Sequence, residues 1–187
     1  QVSSRTFWND ETAVLEYLQY SPLGFIKAYW FHPDNHPPLY YFFVLLVSKI
    51  SPWTEVTIRL VSIMAGLGMV AVVYLFTKRV TGEEKPAILA AFFTAFSSYF
   101  VLISQMARYH SLAALTSLLV FYFFYQLWSA RKVLLPEESV NQLNGFDKRV
   151  WYCYLAALVF TGYVDYPHFI YSVFITNAVY LYSIIRR

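Results

Sequence analysis

Few side chains in this sequence can move a proton or hold an anion, and they fall in four short clusters. The first is Trp8-Asn9-Asp10-Glu11-Thr12, an adjacent acid pair beside the aromatic Phe7 and Trp8. A carboxylate partly desolvated by such neighbours is a candidate general base. The pair also suits a plainer role: Asn9 can cap a short helix on which Val14, Leu15 and Leu18 recur at helical spacing, and the helix dipole favours acids in a first turn. The second cluster is His36-Pro37-Pro38-Leu39-Tyr40-Tyr41. The third, Arg108-Tyr109-His110, carries a guanidinium whose geometry suits an oxyanion, or equally a headgroup anchor. The fourth, Asp165-Tyr166-Pro167-His168, reads chiefly as a polar turn at which Pro167 breaks a helix.

The elements that must position these clusters are set by where charge is missing. No Asp, Glu, Lys or Arg occurs in residues 60–77, 86–107, 109–130, 150–164 or 166–185. A bilayer core about 30 Å thick needs roughly 20 helical residues to cross it. The expected fold is therefore all-α: a polytopic transmembrane bundle of five helices over residues 57–187, with spans near 57–77, 86–106, 110–130, 150–165 and 168–185. Residues 1–56 form a long first outer loop with amphipathic, juxtamembrane helices. An aromatic content of 21% and a mean hydropathy of +0.45 fit a multi-pass integral membrane protein whose first partner is the lipid bilayer.

Basic residues orient it. Lys78, Arg79 and Lys85, then Arg131, Lys132, Lys148 and Arg149, then Arg186 and Arg187 fall on alternate connections, as cytoplasmic loops do. The net charge of +3 is loop charge of this kind, so nucleic acid is not an expected partner. The opposite, extracytoplasmic face receives His32, His36, His110 and His168 together with Asp10, Glu11, Asp34, Arg108 and Asp165. For this parity to hold, residues 37–50 must not cross. They are too short to span and read as a helix along the outer surface that Pro37 and Pro38 begin. Aromatic side chains of the outer loop, such as Tyr29 and Trp30, fit headgroup depth as well as they fit sugar stacking.

Four histidines and several carboxylates on one face invite a metal site, since both are common ligands. Pro33 between His32 and His36, with Pro37 after them, removes the shared helical face such a pair would need, and no metal ligands are assigned. Cys153 is the single cysteine, so no disulfide forms within the chain. With no initiator Met and no leader before Arg5, the sequence is expected to be a fragment whose preceding span is missing.

An acidic pair followed by His36-Pro37-Pro38-Leu39-Tyr40-Tyr41, then Arg59-Leu60-Val61-Ser62, Val73-Tyr74-Leu75, Ala87 to Ala91 and Ser104-Gln105-Met106-Ala107-Arg108-Tyr109, resembles one family. The order and spacing are similar to membrane glycosyltransferases of the GT-C fold, in particular the protein mannosyltransferase and aminoarabinose transferase-like group. The resemblance implies outer-loop helices lying over a cavity that admits a polyprenyl-phosphate-linked sugar, the donor substrate. It implies Asp10 as the base, with Glu11 orienting it or touching the acceptor, and a single inverting displacement. His36, Arg108, Tyr109 and His168 are then the side chains for the donor's phosphate and sugar. The acceptor would be a protein, a glycan or a lipid in the cell envelope. Some members of this fold use a divalent ion and others do not, so the resemblance leaves that ion open.

Two rival readings come from other classes. A transporter places ionisable groups near the bilayer midplane, whereas the mid-span glycines Gly66, Gly68 and Gly162 are accompanied by no charge. A non-catalytic membrane scaffold would bind lipid phosphate at most.

Overall fold

A computed structural model describes residues 12–32, 36–51, 54–133 and 148–185, and all of its regular elements are helices. In chain order they are α1 (Thr12–Leu18), α2 (Pro22–Phe31), α3 (Leu39–Ile50), α4 (Glu55–Thr81), α5 (Glu84–Phe96), α6 (Ser98–Ser104), α7 (His110–Val133), α8 (Lys148–Val164) and α9 (Tyr166–Ile185). The acid pair Asp10-Glu11 and Asp34 lie outside the described residues.

The protein is an all-α transmembrane helix bundle. Helices α4, α7 and α9 are long and apolar enough to cross a bilayer, and the α5–α6 pair makes a fourth crossing if counted as one bent span. Leu67, Phe93, Tyr171 and Phe174 are each more than half exposed on these helices. Water would not tolerate such a surface, and hydrocarbon does. Helix α3 has 12 residues, about 18 Å of rise, and falls short of a crossing.

Local sequence sets the helix ends. Ser21 caps α2 by accepting from Gly24 N at 3.1 Å, with Pro22 in the first turn. Thr54 caps α4 by accepting from Thr57 N at 3.2 Å, and Glu55 follows in the first turn. At the other end of α4, Lys78 and Arg79 sit in the last turn and Gly82 closes it in the left-handed conformation, φ 74°. Helix α3 starts directly after Pro38, whose carbonyl accepts from Phe42 N at 3.0 Å.

The expected span at 86–106 is not one straight helix. Ser97 adopts an extended conformation, and α5 and α6 meet there at 60°. Adjacent serines at 97 and 98 offer the backbone competing side-chain partners, a recognised cause of sharp kinks. Beyond the bend, α6 lies against α4 so closely that a Cβ on Gly66 would stand 2.7 Å from Ser104 Cβ.

One core cluster holds α1, α2 and α3 to the bundle. Val14 and Leu18 of α1, Phe25 of α2, and Tyr40, Tyr41, Val44 and Leu45 of α3 pack with Ile58 of α4, Ala107, Tyr109, Ala113 and Val164. Leu15, expected on the same stripe as Val14 and Leu18, is instead 37% exposed. A second cluster, built on Val120, Tyr154 and Ala157, joins α7 to α8. Arg59 is buried near the start of α4, with Glu55 Oε2 3.9 Å away across one helical turn.

Candidate functional site

Three connections meet at one end of the bundle: residues 36–38 ahead of α3, residues 105–109 between α6 and α7, and Asp165 between α8 and α9. At about 1.5 Å per residue, Ser62 beside this junction and Lys78 at the basic turn stand ~24 Å apart along α4. The reactive side chains and the basic turn therefore occupy opposite ends of one helix.

Asp165 is the centre of the junction. It is 3% exposed, and its two carboxylate oxygens face different histidines. Oδ2 is 2.5 Å from His168 Nδ1, and Oδ1 is 3.7 Å from His36 Nδ1. The first is a hydrogen bond and the second an ion-pair distance. Oδ2 also accepts from the backbone N–H of His168 at 3.2 Å, and the Asp165 carbonyl accepts from Phe169 N. Asp165 is thus the N-cap of α9. Pro167 falls in the first turn of α9, where its missing N–H costs nothing, just past the break between α8 and α9 at Asp165.

His36 is held from its other side as well. Its carbonyl accepts from Tyr29 Oη at 2.5 Å, which ties the loop to α2. Its imidazole lies on the ring of Tyr109, centroids 4.2 Å apart, and Tyr109 in turn meets His110 at 4.3 Å. Tyr109 is 9% exposed between these two rings. The Arg108 guanidinium carbon stands 5.8 Å from the Tyr109 centroid, within cation–π range.

Hydroxyl groups fix the 105–109 turn. Ser62 Oγ donates to the Arg108 carbonyl at 3.0 Å, and Ser111 Oγ donates to the Ser62 carbonyl at 2.9 Å. Ser62 has one proton to give, so Tyr40 Oη donates to Ser62 Oγ at 2.9 Å. Helix α3, helix α4 and the Arg108 turn are thereby tied through one serine.

Of the residues singled out by their chemistry, His36, Arg108, Tyr109 and His168 come to this one junction, and His110 joins them. His32, at the C-terminal end of α2, is exposed. Asp10 and Glu11 are outside the described residues. Asp165, Ser62 and Tyr29 were not assigned roles from sequence. An acid one residue ahead of an apolar helix with Pro in its first turn is an N-cap signature, and it marks Asp165. Nothing local marks Ser62 or Tyr29, whose partners are set by packing. Among the described residues, no group of three or more His, Cys, Asp or Glu side chains is arranged to hold a metal ion.

A bundle of membrane-spanning helices with a cationic and aromatic junction at one end defines an integral membrane protein with a polar site at a bilayer face. Residues 35–135, more than half of the chain, match the family of dolichyl-phosphate-mannose-protein mannosyltransferases, and the chain belongs to that family. The GT-C mannosyltransferase-like resemblance and the all-α membrane fold are in agreement, and the activity is that of a membrane glycosyltransferase of the mannosyltransferase type. Comparison with curated proteins and with solved structures finds no match. The matched segment includes His36 and the Arg108–His110 turn, while Asp165 and His168 lie beyond it.

Proposed function

We propose that the protein transfers a sugar, mannose in the first instance, from a polyprenyl phosphate donor to an acceptor hydroxyl on the extracytoplasmic side, with inversion at the anomeric carbon. The observation that supports this reading is the meeting of His36, Arg108, Tyr109 and His168 at one end of a glycosyltransferase-family bundle.

In the proposed reaction the acceptor oxygen attacks the anomeric carbon as its proton passes to the Asp10 carboxylate. A new glycosidic C–O bond forms, the bond from that carbon to the phosphate oxygen breaks, and its electron pair leaves with the lipid phosphate. Glu11 orients Asp10 or contacts the acceptor. Arg108 supplies fixed positive charge and paired donors for the departing phosphate. His36 and His168 offer imidazole N–H groups to the same oxyanion, and Tyr109 fixes the ring of His36. Charge that develops on the leaving oxygen is met by donors already in place, which is where electrostatic catalysis is strongest.

The test is transfer from polyprenyl-phosphate mannose by the full chain in lipid nanodiscs. A positioned base contributes about 10²- to 10⁴-fold in rate, so Asp10→Asn with Glu11→Gln should reduce transfer by that order. Transfer at the unmodified rate would remove Asp10 and Glu11 from the mechanism. Solute flux without any sugar transfer would favour a transporter.

A further inference from the structure

We infer that Asp165 is a positioning residue that clamps His36 and His168 by their Nδ1 edges, so that their Nε2 edges form the two imidazole arms of the donor-phosphate cradle. The inference rests on the proposed donor class and adds a residue that neither the family match nor the sequence motifs assign.

The two histidines come from distant parts of the chain, one from the connection ahead of α3 and one from the first turn of α9. A single buried carboxylate faces both, with one oxygen toward each ring. An imidazole whose Nδ1 is engaged by a carboxylate has one polar atom left, Nε2, on the far edge of the ring. Neither Nε2 makes a hydrogen bond to a described residue. The side chains of His36 and His168 are 28% and 41% exposed, whereas that of Asp165 is 4% exposed. The carboxylate therefore does not touch a substrate. It acts through the rings, as a buried aspartate does when it fixes an imidazole's tautomer and orientation.

The Arg108 guanidinium beside Tyr109 suits an anionic ligand. Asp165 faces both rings, Tyr109 packs on that of His36, and Arg108 and His110 lie against Tyr109. A ring whose Nδ1 faces Asp165 keeps Nε2 to offer to a phosphate oxygen. A phosphate held by the two Nε2 edges and Arg108 accepts charge-assisted hydrogen bonds.

Asp165 also caps α9, and the choice of variant must separate the two roles. Asn and Ser are about as good as Asp at an N-cap. Asp165→Asn keeps the cap and removes the charge; Asp165→Ser keeps the cap and cannot span two rings. Both should unfold at the wild-type temperature. The probe is polyprenyl phosphate binding to the full chain in nanodiscs, with donor and acceptor KM measured alongside. Each variant should bind polyprenyl phosphate about 10- to 100-fold more weakly, the equivalent of charged hydrogen bonds lost, and raise donor KM without moving acceptor KM. Added to His36→Gln with His168→Gln, Asp165→Asn should cost less than about twofold more, because its effect passes through those rings.

Wild-type affinity in the Asn and Ser variants, or an undiminished loss on the double-histidine background, would overturn the inference. So would failure of the wild-type protein to bind polyprenyl phosphate. If an Asp165 variant unfolds, the histidines carry the test. Two rings sharing one clamp lose affinity non-additively, and strictly additive losses would overturn it. Polyprenyl phosphate binding with the expected cycle but no sugar transfer would sink the proposed function and leave the clamp standing. Transfer with unchanged binding in Asp165→Asn would do the reverse.

Discussion

Ser62 Oγ donates to the carbonyl oxygen of Arg108 at 3.0 Å, so the turn that carries the site's guanidinium is tied by its backbone to the middle of a neighbouring helix. Tyr40 donates to the same Ser62 oxygen, and Ser111 donates to the Ser62 carbonyl. Tyr40, Ser62 and Ser111 are all fully buried, and each bond crosses between elements. The orientation of Arg108 is therefore a tertiary property, shared among α3, α4 and α7.

Ser62→Ala removes the donor to the Arg108 carbonyl and the acceptor for the buried Tyr40 hydroxyl. A stability loss of about 1–3 kcal/mol is expected, with donor KM raised. Tyr40→Phe removes one hydroxyl and leaves the Ser62–Arg108 bond, so it should cost about 1 kcal/mol and disturb KM less. Thermal unfolding in nanodiscs and donor titrations check both. Equal effects of the two variants would contradict the order of the relay.

Gly66 is where α6 approaches α4. Its added Cβ would meet Ser104 Cβ at 2.7 Å, with Ser111 Oγ at 3.5 Å on the other side. Gly66→Val should force α6 away and cost about 1–3 kcal/mol, the usual range for overpacking. Gly82, by contrast, has nothing within 4 Å, and its constraint is the left-handed backbone, φ 74°. Gly82→Asn should be milder than Gly82→Val, because Asn tolerates that region and a β-branched residue does not. Thermal unfolding of the three variants is the measurement.

How much of this was readable without coordinates depended on range. Charge-free runs mark the long helices α4, α7 and α9 because the bilayer constrains every residue along them. The bend at Ser97 sits within such a run, and hydropathy carries no information about it. A Ser-Ser pair bends a helix only when neighbours accept the bend. His36, Arg108, Tyr109 and His168 stood out by residue type and by membrane side. Asp165 stood beside them as part of a polar turn, but its role did not show, because its second partner, His36, lies far away in sequence. Its cap role was local and could have been read; its contact with His36 was a matter of packing. Arg59 stands just ahead of the charge-free run 60–77, and its burial, with Glu55 one turn away, is a matter of packing.

Tyr109 separates two histidine rings and lies beside the Arg108 guanidinium. Tyr109→Leu keeps much of the apolar burial and loses the stacking surface that fixes His36. Aromatic pairs contribute about 0.5–1.5 kcal/mol beyond area, so a stability loss of that size is expected, with a larger loss in donor binding than in folding. A donor KM equal to wild type would show that Tyr109 serves packing alone.

Sidedness is open to labelling. On a Cys153→Ser background, Tyr166→Cys places a thiol at an exposed position beside the site, and Glu83→Cys places one at the opposite turn. A membrane-impermeant maleimide should label the Tyr166→Cys protein in intact cells and the Glu83→Cys protein only after permeabilisation. Labelling of both in intact cells, or the reverse pattern, would contradict an extracytoplasmic site.

The most direct measurement is a density map of the full chain in nanodiscs with polyprenyl phosphate bound. The phosphate is expected within hydrogen-bond distance of the Arg108 guanidinium and of Nε2 on both His36 and His168, with Asp165 behind the rings and out of contact. A phosphate bound at another face of the bundle, or one touching none of these three side chains, would contradict the account.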